Sequence, residues 1–231
     1  MHFARPTAAD RLMTQDVLED HDRERRIGLP EAVFCAGKSV GQIARIAEAR
    51  GHAPSLFTRL AEEQYASLPA ALRGRLDYDP VSRTAFLGTT RAPEKFPRIA
   101  IVAAGTSDLP VIAEVERTLA FHGEGSVRFA DVGVAGLWRL VNVRESLDTF
   151  PVVVAVAGME GALFSVLGGL VGGLIIAVPT SVGYGVSAQG RVALDSALAS
   201  CAPGVVTVNI DNGYGGACAA LRAIRARSRS R

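Results

Sequence analysis

Apolar runs separated by segments with helical spacing dominate the second half of the chain. The runs at 99–105, 152–158 and 174–178 contain no charged residue, which is typical of strands buried on both faces of a parallel sheet. The segment from Pro151 to Gly185 contains the last two runs, with a helical pattern between them that begins near Met159-Glu160-Gly161. It therefore predicts a strand, a helix and a second strand, which is one crossover unit of a parallel sheet.

A membrane span is the competing interpretation of this segment. Residues 161–178 form a stretch of 18 residues without a charge, and about 20 apolar residues can cross a bilayer. Four glycines inside the stretch weaken a lone helix, and no Lys, Arg, Trp or Tyr flanks it as an interfacial anchor. We therefore expect a buried crossover and no membrane contact. The N-terminus shows no signal peptide, and this favours a cytoplasmic protein.

The same patterns divide the chain into two predicted α/β domains. Residues 1–90 contain short apolar runs at 31–35 and 55–60, helical segments at 39–50 and 61–72, and an extended segment or hairpin at 77–88, which predict a small domain. Residues 91–97 contain two prolines and read as a linker. Residues 98–231 predict a larger domain of three layers, in which a mostly parallel sheet lies between helices.

Loops at the carboxyl ends of the parallel strands are the predicted ligand site, because ligands bind at that edge of such sheets. The loop after the strand at 98–105 reads Gly105-Thr106-Ser107-Asp108 and runs into a helix with Pro110 near its start. Free amides and hydroxyls there suit an anion, although an ordinary capped turn explains the residues equally well. The remaining loops of this edge are 133–136, 158–161, 179–185 and 211–215.

Composition narrows the possible functions. The formal net charge is +2 with dispersed basic residues, so nucleic acid is not an expected partner. Cys35, Cys201 and Cys218 make an odd count without CxxC spacing, which argues against disulfides and structural zinc and leaves free thiols. A hydrophobic content of 48% with few aromatics indicates buried contacts between subunits.

Several motifs taken together resemble one family. They are DHDRERRIGLPEAVFCAGKS, AAGTSDLPV, DVGVAGLWRL, AGMEGALFSVLGGL, AVPTSVGYG and SCAPGVVTVNIDNGYG, which span about Asp20 to Gly215. This set resembles LarB, the nickel-pincer nucleotide cofactor biosynthesis family. The resemblance implies a small N-terminal domain joined to a flavodoxin-like domain similar to PurE, the aminoimidazole ribonucleotide carboxylase. Trp138 stands where the family motif has His.

The resemblance also implies a reaction and its partners. The substrates would be nicotinic acid adenine dinucleotide, or an NAD analogue, and carbon dioxide or bicarbonate. The enzyme would carboxylate the pyridinium ring at C5 and hydrolyse the phosphoanhydride, giving pyridinium-3,5-biscarboxylic acid mononucleotide and AMP. A homo-oligomer, an octamer as in PurE-like domains, is expected. Hydrolysis of an anhydride usually benefits from a divalent cation, so Mg²⁺ is a candidate cofactor, although no cluster of ligands indicates a metal site.

Two catalytic residues follow from the motifs. Cys201 in SCAPG matches the family's reactive cysteine and would add to the ring as a thiolate, which makes C5 nucleophilic. Glu160 in AGMEGAL would remove the C5 proton, and we expect its apolar sequence neighbours to desolvate it and raise its pKa. From physics alone Cys218 competes, because it is close to a predicted helix start that would lower the pKa of its thiol.

The predicted substrate-binding residues all lie in the strand-end loops. They are Gly105, Thr106, Ser107, Asp108, Gly133, Gly136, Gly158, Met159, Ser181 and Gly183. Arg23, Arg26 and Lys38 are candidates for binding a carboxylate or phosphate, or for salt bridges between domains. A different PurE-like nucleotide carboxylase or mutase, and a non-catalytic nucleotide-binding module, are the alternative functions.

Overall fold

The computed structural model describes residues 20, 22–92 and 94–228. Its N-terminal part contains a small four-stranded sheet in the order β1-β2-β4-β3, in which only β1 and β2 run parallel. The elements are α1 Arg23–Ile27, β1 Val33–Phe34, α2 Val40–Arg50, β2 Ser55–Thr58, α3 Glu62–Ala66, α4 Ala70–Arg73, β3 Leu76–Asp79 and β4 Thr84–Leu87. The first 19 residues of the predicted N-terminal domain lie outside the described residues.

Local sequence explains where the helices of this part begin and end. Ser39 caps α2: its Oγ accepts a hydrogen bond from Gln42 N at 3.2 Å, and its N–H donates to Gln42 Oε1 at 2.9 Å. These two bonds form a capping box. The single helix predicted over 61–72 is wrong, because the chain forms two short helices there: α3 ends at Ala66, and Pro69 immediately precedes α4. Proline lacks an N–H and disfavours helical backbone in the residue before it.

The C-terminal part contains a five-stranded, all-parallel sheet in the order β6-β5-β7-β8-β9. Counted within the sheet this order is 2-1-3-4-5, the flavodoxin-like arrangement. The elements are β5 Ile99–Ala103, α5 Leu109–Phe121, β6 Ser126–Phe129, α6 Leu137–Leu147, β7 Val152–Ala157, α7 Ala162–Leu170, β8 Leu174–Pro179, α8 Arg191–Leu198, β9 Val205–Thr207 and α9 Gly213–Ser228.

Helices cover both faces of this sheet, and this explains the uninterrupted apolar runs. Val152, Val154 and Val156 of β7 pack in a core with α5 and α9, whereas Val153 and Ala155 pack in a second core with α6, α7 and α8. Successive side chains of a strand point to opposite faces, so a strand buried on both sides needs apolar residues at every position. The predicted α/β fold with three layers, PurE/flavodoxin-like, is confirmed, as is the crossover over 151–185.

A buried carboxylate joins the two sheets. Glu114 of α5 is 3% exposed and accepts hydrogen bonds from Thr58 Oγ1 at 3.0 Å and from Tyr214 N at 3.2 Å. Arg59 Nε lies 3.4 Å from the same carboxylate. Arg117, also on α5, forms an ion pair with Asp77 at 2.9 Å. The two parts of the chain therefore meet along α5, and the boundaries predicted at 90 and 98 stay predictions.

Two elements at the end of the larger sheet are short. The helix α8 begins only at Arg191, because Gln189 and Gly190 have left-handed backbone with φ of 64° and 75°. The strand β9 ends at Thr207 and leaves residues 208–212 as the loop that leads into α9.

Candidate active site

Three loops converge at the carboxyl edge of the parallel sheet. Residues 104–108 follow β5, 158–161 follow β7 and 180–185 follow β8, and these three strands are neighbours in the sheet. Neighbouring strands lie about 4.8 Å apart, so the loops that leave them share one surface region. The predicted convergence of these loops is confirmed.

Asp108 ties two of these loops together from the inside. Its side chain is buried, with Oδ2 accepting a hydrogen bond from Gly105 N at 3.1 Å and Oδ1 accepting one from Thr180 Oγ1 at 2.7 Å. Desolvation raises the pKa of this carboxyl, while the two hydrogen bonds act in the opposite direction. The predicted contact of Asp108 with substrate stays a prediction, and in this structure the buried carboxylate holds the two loops together. Thr106 and Ser107, by contrast, are exposed beside it.

Several predicted glycines serve close packing at this edge. A Cβ on Gly158 would lie 2.1 Å from Val182 O, and one on Gly133 would lie 2.6 Å from Ala104 O. A Cβ on Gly183 would lie 2.5 Å from Ser187 O. Glycine lets the backbones of adjacent loops approach, which no larger residue could do without a shift of the backbone.

Gly136 at the start of α6 has a different neighbour. A Cβ there would lie 2.7 Å from Arg139 Nε. Arg139 is in turn paired with Asp131. The glycine therefore leaves room for this ion pair on the loop after β6.

Glu160 is presented to solvent at the end of the central strand. Met159 has φ of 53° and donates a hydrogen bond from its N–H to Val182 O at 2.8 Å, which fixes the loop. The next residue, Glu160, is exposed. The expectation that its sequence neighbours desolvate it is wrong, because the apolar side chains of β7 and α7 point into the cores and not toward residue 160.

Ser181 continues the same surface after β8. Its side chain is exposed, and its N–H donates to Asp211 Oδ1 at 2.8 Å. Asp211 itself follows β9 and has φ of 54°. The loop after β8 is thereby held against the loop that leads into α9.

The three cysteines have different surroundings. Cys201 is exposed, Cys35 is buried and Cys218 is half-buried, and all three are free. Burial raises the pKa of Cys35 to about 12. It also raises the pKa of Cys218, which lies in the second turn of α9. The expected lowering by a helix start is therefore wrong, since α9 begins at Gly213 and the thiol packs against the core.

Cys201 and Glu160 do not meet within one chain. Cys201 follows α8 and precedes β9, so it lies toward the amino ends of the strands, whereas Glu160 lies at their carboxyl ends. The eight residues of α8 span about 12 Å between the two edges. The neighbouring Ser200 Oγ lies 2.8 Å from Ser165 Oγ inside α7. The position of Cys201 between a helix and the next strand was the sequence signal for this separation.

The N-terminal candidates for anion binding are partly engaged elsewhere. Arg26 is paired with Asp20. Burial raises the pKa of Tyr214 and of Cys218, and the charge of Arg23 opposes both shifts, so Arg23 lies near the start of α9. Lys38 is half-buried, and its carbonyl accepts a hydrogen bond from Gln64.

Sequence reasoning missed a pocket between the two sheets. This pocket has a volume of about 170 Å³ and combines Arg59, Ser82 and Arg83 of the N-terminal part with strand-end residues that include Ser107, Ser181 and Asp211. Arg59 and Arg83 have left-handed backbone with φ of 55° and 52°. No motif in the sequence indicates that these two arginines approach the strand ends.

No helix in the described part of the chain has the length and apolar character needed to span a bilayer. Among residues 20, 22–92 and 94–228, no three His, Cys, Asp or Glu side chains are grouped so that they could hold a metal ion.

Comparison with known proteins gives two matches. A family model described as the LarB/PurE-like N-terminal domain matches residues 15–89, which indicates a PurE-like, nucleotide-related enzyme of the carboxylase or mutase type. The uncharacterized protein MJ0165 of Methanocaldococcus jannaschii is 34% identical over 207 residues, which cover 85% of this chain and 79% of the relative. With this identity over most of both proteins, and with the matching domain, the chain belongs to the LarB/PurE-like family.

Proposed function

We propose that this protein carboxylates nicotinic acid adenine dinucleotide at C5 of its pyridinium ring and hydrolyses the phosphoanhydride. The products are pyridinium-3,5-biscarboxylic acid mononucleotide and AMP. The observation that carries the proposal is the exposed Glu160 at the end of the central strand, with the hydroxyls of Thr106 and Ser107 on the neighbouring strand end. A carboxylate beside phosphate-binding hydroxyls suits a base that acts on a nucleotide.

The chemistry requires a nucleophile as well as a base. A pyridinium cation is electron-poor and does not attack carbon dioxide. Addition of a thiolate to the ring gives a neutral dihydropyridine, whose enamine carbon C5 attacks carbon dioxide and becomes tetrahedral. Glu160 then takes the C5 proton, and expulsion of the thiolate restores the aromatic ring and regenerates the nucleophile. Cys201 is proposed as the thiolate because it is the exposed cysteine.

Because Cys201 lies away from Glu160 in one chain, we propose that the site is completed by a second copy in a homo-oligomer, the octamer that the resemblance to PurE-like domains implies. Leu198, shortly before Cys201 in the chain, is 68% exposed, and Val186, after the loop that contacts Met159, is 91% exposed. A second subunit would cover such apolar side chains.

Mg²⁺ would enter this site bound to the phosphates of the substrate. Mg²⁺ is usually bound by one or two carboxylates together with substrate phosphates and water. A Mg²⁺ ion bound to the substrate phosphates would neutralise charge during hydrolysis of the anhydride.

The reaction is tested by incubating the protein with nicotinic acid adenine dinucleotide, ¹³C-bicarbonate and Mg²⁺, and by detecting AMP and the labelled dicarboxylated mononucleotide with mass spectrometry. We expect Cys201→Ala and Glu160→Gln each to abolish the labelled product. Full carboxylation by Cys201→Ala would instead indicate a different PurE-like carboxylase. Binding without any product would indicate a nucleotide-binding module.

The completion of the site by two subunits has its own test. Coexpressed Cys201→Ala and Glu160→Gln chains, assembled at random in equal amounts, should recover about one quarter of the wild-type rate, because one neighbouring pair in four combines an intact Glu160 with an intact Cys201. Mixing the purified homo-oligomers without subunit exchange is the control. No recovery in the coassembled protein, with both parents inactive, would mean that the two residues act within one chain.

A further inference from the structure

The pocket between the two sheets contains Arg83, whose guanidinium has no hydrogen-bond or ion-pair partner among the described residues. Arg83 lies in the turn between β3 and β4, where Asp79 Oδ2 accepts from Ser82 N at 2.8 Å and so shapes the turn. The Arg83 backbone is held by Leu60 N, which donates to its carbonyl at 2.8 Å. In the part of the chain that the structure describes, no hydrogen bond or ion pair engages the Arg83 guanidinium. Its charge is therefore available to a ligand in the pocket.

The second arginine of the pocket, Arg59, is already paired within the protein. Arg59 donates from Nη2 to the carbonyl of Asp211 and pairs through Nε with the buried Glu114. Its charge is thus compensated within the protein. Arg59 fixes the wall between the two sheets, and Arg83 is the cation that a ligand would meet.

The opposite wall supplies hydroxyls and one carboxylate. Ser107 follows β5 and Ser181 follows β8, both are exposed, and neither hydroxyl has a hydrogen-bond partner among the described residues. Asp211 uses one carboxylate oxygen to accept from Ser181 N. The Arg83 guanidinium and the two serine hydroxyls can donate hydrogen bonds to a phosphate. The Asp211 carboxylate beside them can accept hydrogen bonds from hydroxyl groups of a ligand.

The size and position of the pocket narrow the ligand further. A volume of about 170 Å³ is below the roughly 300–1,000 Å³ of sites for drug-sized ligands, so only part of a dinucleotide fits. Val182, which also lines the pocket, accepts the hydrogen bond from Met159 N beside Glu160. A group in the pocket is thus adjacent to the proposed base.

We infer that this pocket binds a ribose phosphate unit of the dinucleotide, with Arg83 and the hydroxyls of Ser107 and Ser181 on the phosphate and Asp211 on the ribose hydroxyls. The inference rests on the proposed function for the identity of the substrate. It gives the N-terminal sheet a part in substrate binding, because the positive charge for the phosphate comes from its β3–β4 turn.

Calorimetric titration of the full chain with ADP and with adenosine tests this inference without turnover. We expect Arg83→Gln to weaken ADP binding by roughly tenfold to a hundredfold, the range for loss of a hydrogen bond to a charged group, and to leave adenosine binding unchanged. Arg83→Lys should weaken ADP binding less than Arg83→Gln does, because lysine keeps the positive charge. Some loss should remain, because lysine lacks the bidentate fork of arginine. Arg45→Gln is the matched control, because Arg45 is an exposed arginine of α2 outside the pocket.

The outcomes separate the two proposals. Equal ADP affinities for the Arg83→Gln and Arg45→Gln variants would overturn the inference, and so would a wild-type protein that binds ADP no more tightly than adenosine. If Arg83→Gln loses affinity for both ligands and melts at a lower temperature, the Arg83→Lys variant decides. It must then bind ADP more weakly than wild type and bind adenosine as well as wild type. Binding that depends on Arg83 in a protein that yields no carboxylated product would reject the reaction and keep the phosphate site.

Discussion

Replacement of Asp108 tests how the candidate site is held together. Alanine at this position removes the acceptors for Gly105 N and Thr180 Oγ1, which lie 3.1 and 2.7 Å from the carboxylate. Thr180 is fully buried, so water cannot replace the lost partner there. Each buried group left unpaired costs about 1–3 kcal/mol. Removal of a carboxylate that burial disfavours offsets part of this cost, and we expect Asp108→Ala to lower the free energy of unfolding by about 2–4 kcal/mol.

Asparagine is the matched comparison. Its carbonyl oxygen can accept from Gly105 N while its amide donates to Thr180 Oγ1, so both bonds survive and the charge is removed. We expect Asp108→Asn to stay within about 1 kcal/mol of wild type. Urea unfolding at pH 7, followed by circular dichroism, measures both variants. Equal losses for Asn and Ala would refute the reasoning, since the charge and not the pair of hydrogen bonds would then hold the loops.

Three further predictions concern the junction, the acid response and the packing of the site. Glu114→Ala should lower the free energy of unfolding in urea by about 3–5 kcal/mol, because it leaves the three partners of a buried carboxylate unpaired. A loss below about 1 kcal/mol would contradict this. Burial and two nearby arginines lower the pKa of His122 from 6.5 to about 4, so the unfolded chain takes up its proton first as the pH falls and stability is lost below about pH 6.5. The loss from pH 7 to pH 5 is about 2 kcal/mol for this group, and His122→Gln should lack that part of the response; an unchanged pH profile would show that other groups are responsible. Gly158→Ala should cost about 1–3 kcal/mol and shift the loop of Glu160, because its Cβ would meet Val182 O at 2.1 Å. Gly169→Ala is its control in thermal unfolding, with nothing within 4 Å and an expected gain of up to about 1 kcal/mol; similar losses in both would argue against the packing explanation.

The catalytic candidates illustrate where sequence patterns stop being informative. Cys201 and Glu160 were assigned from motifs, and motifs carry no information about which edge of a sheet a residue occupies. The alternation of α8 and β9 does carry that information, because a residue between a helix and the next parallel strand lies at the amino edge. For Glu160, the apolar neighbours in sequence suggested burial, yet alternate residues of a strand and successive residues of a helix point away from one another.

The sequence by itself determined the parallel sheet and the convergence of its loops. Uninterrupted apolar runs require strands buried on both faces, and right-handed crossovers then bring the loops that follow them to one edge. Only the tertiary structure decided that Asp108 faces inward to Thr180, that Arg83 reaches the strand ends and that Cys201 is separated from Glu160. These contacts join residues far apart in the chain, and the packing of two sheets against α5 creates them, whereas periodicity and local propensity report only on neighbours a few positions away.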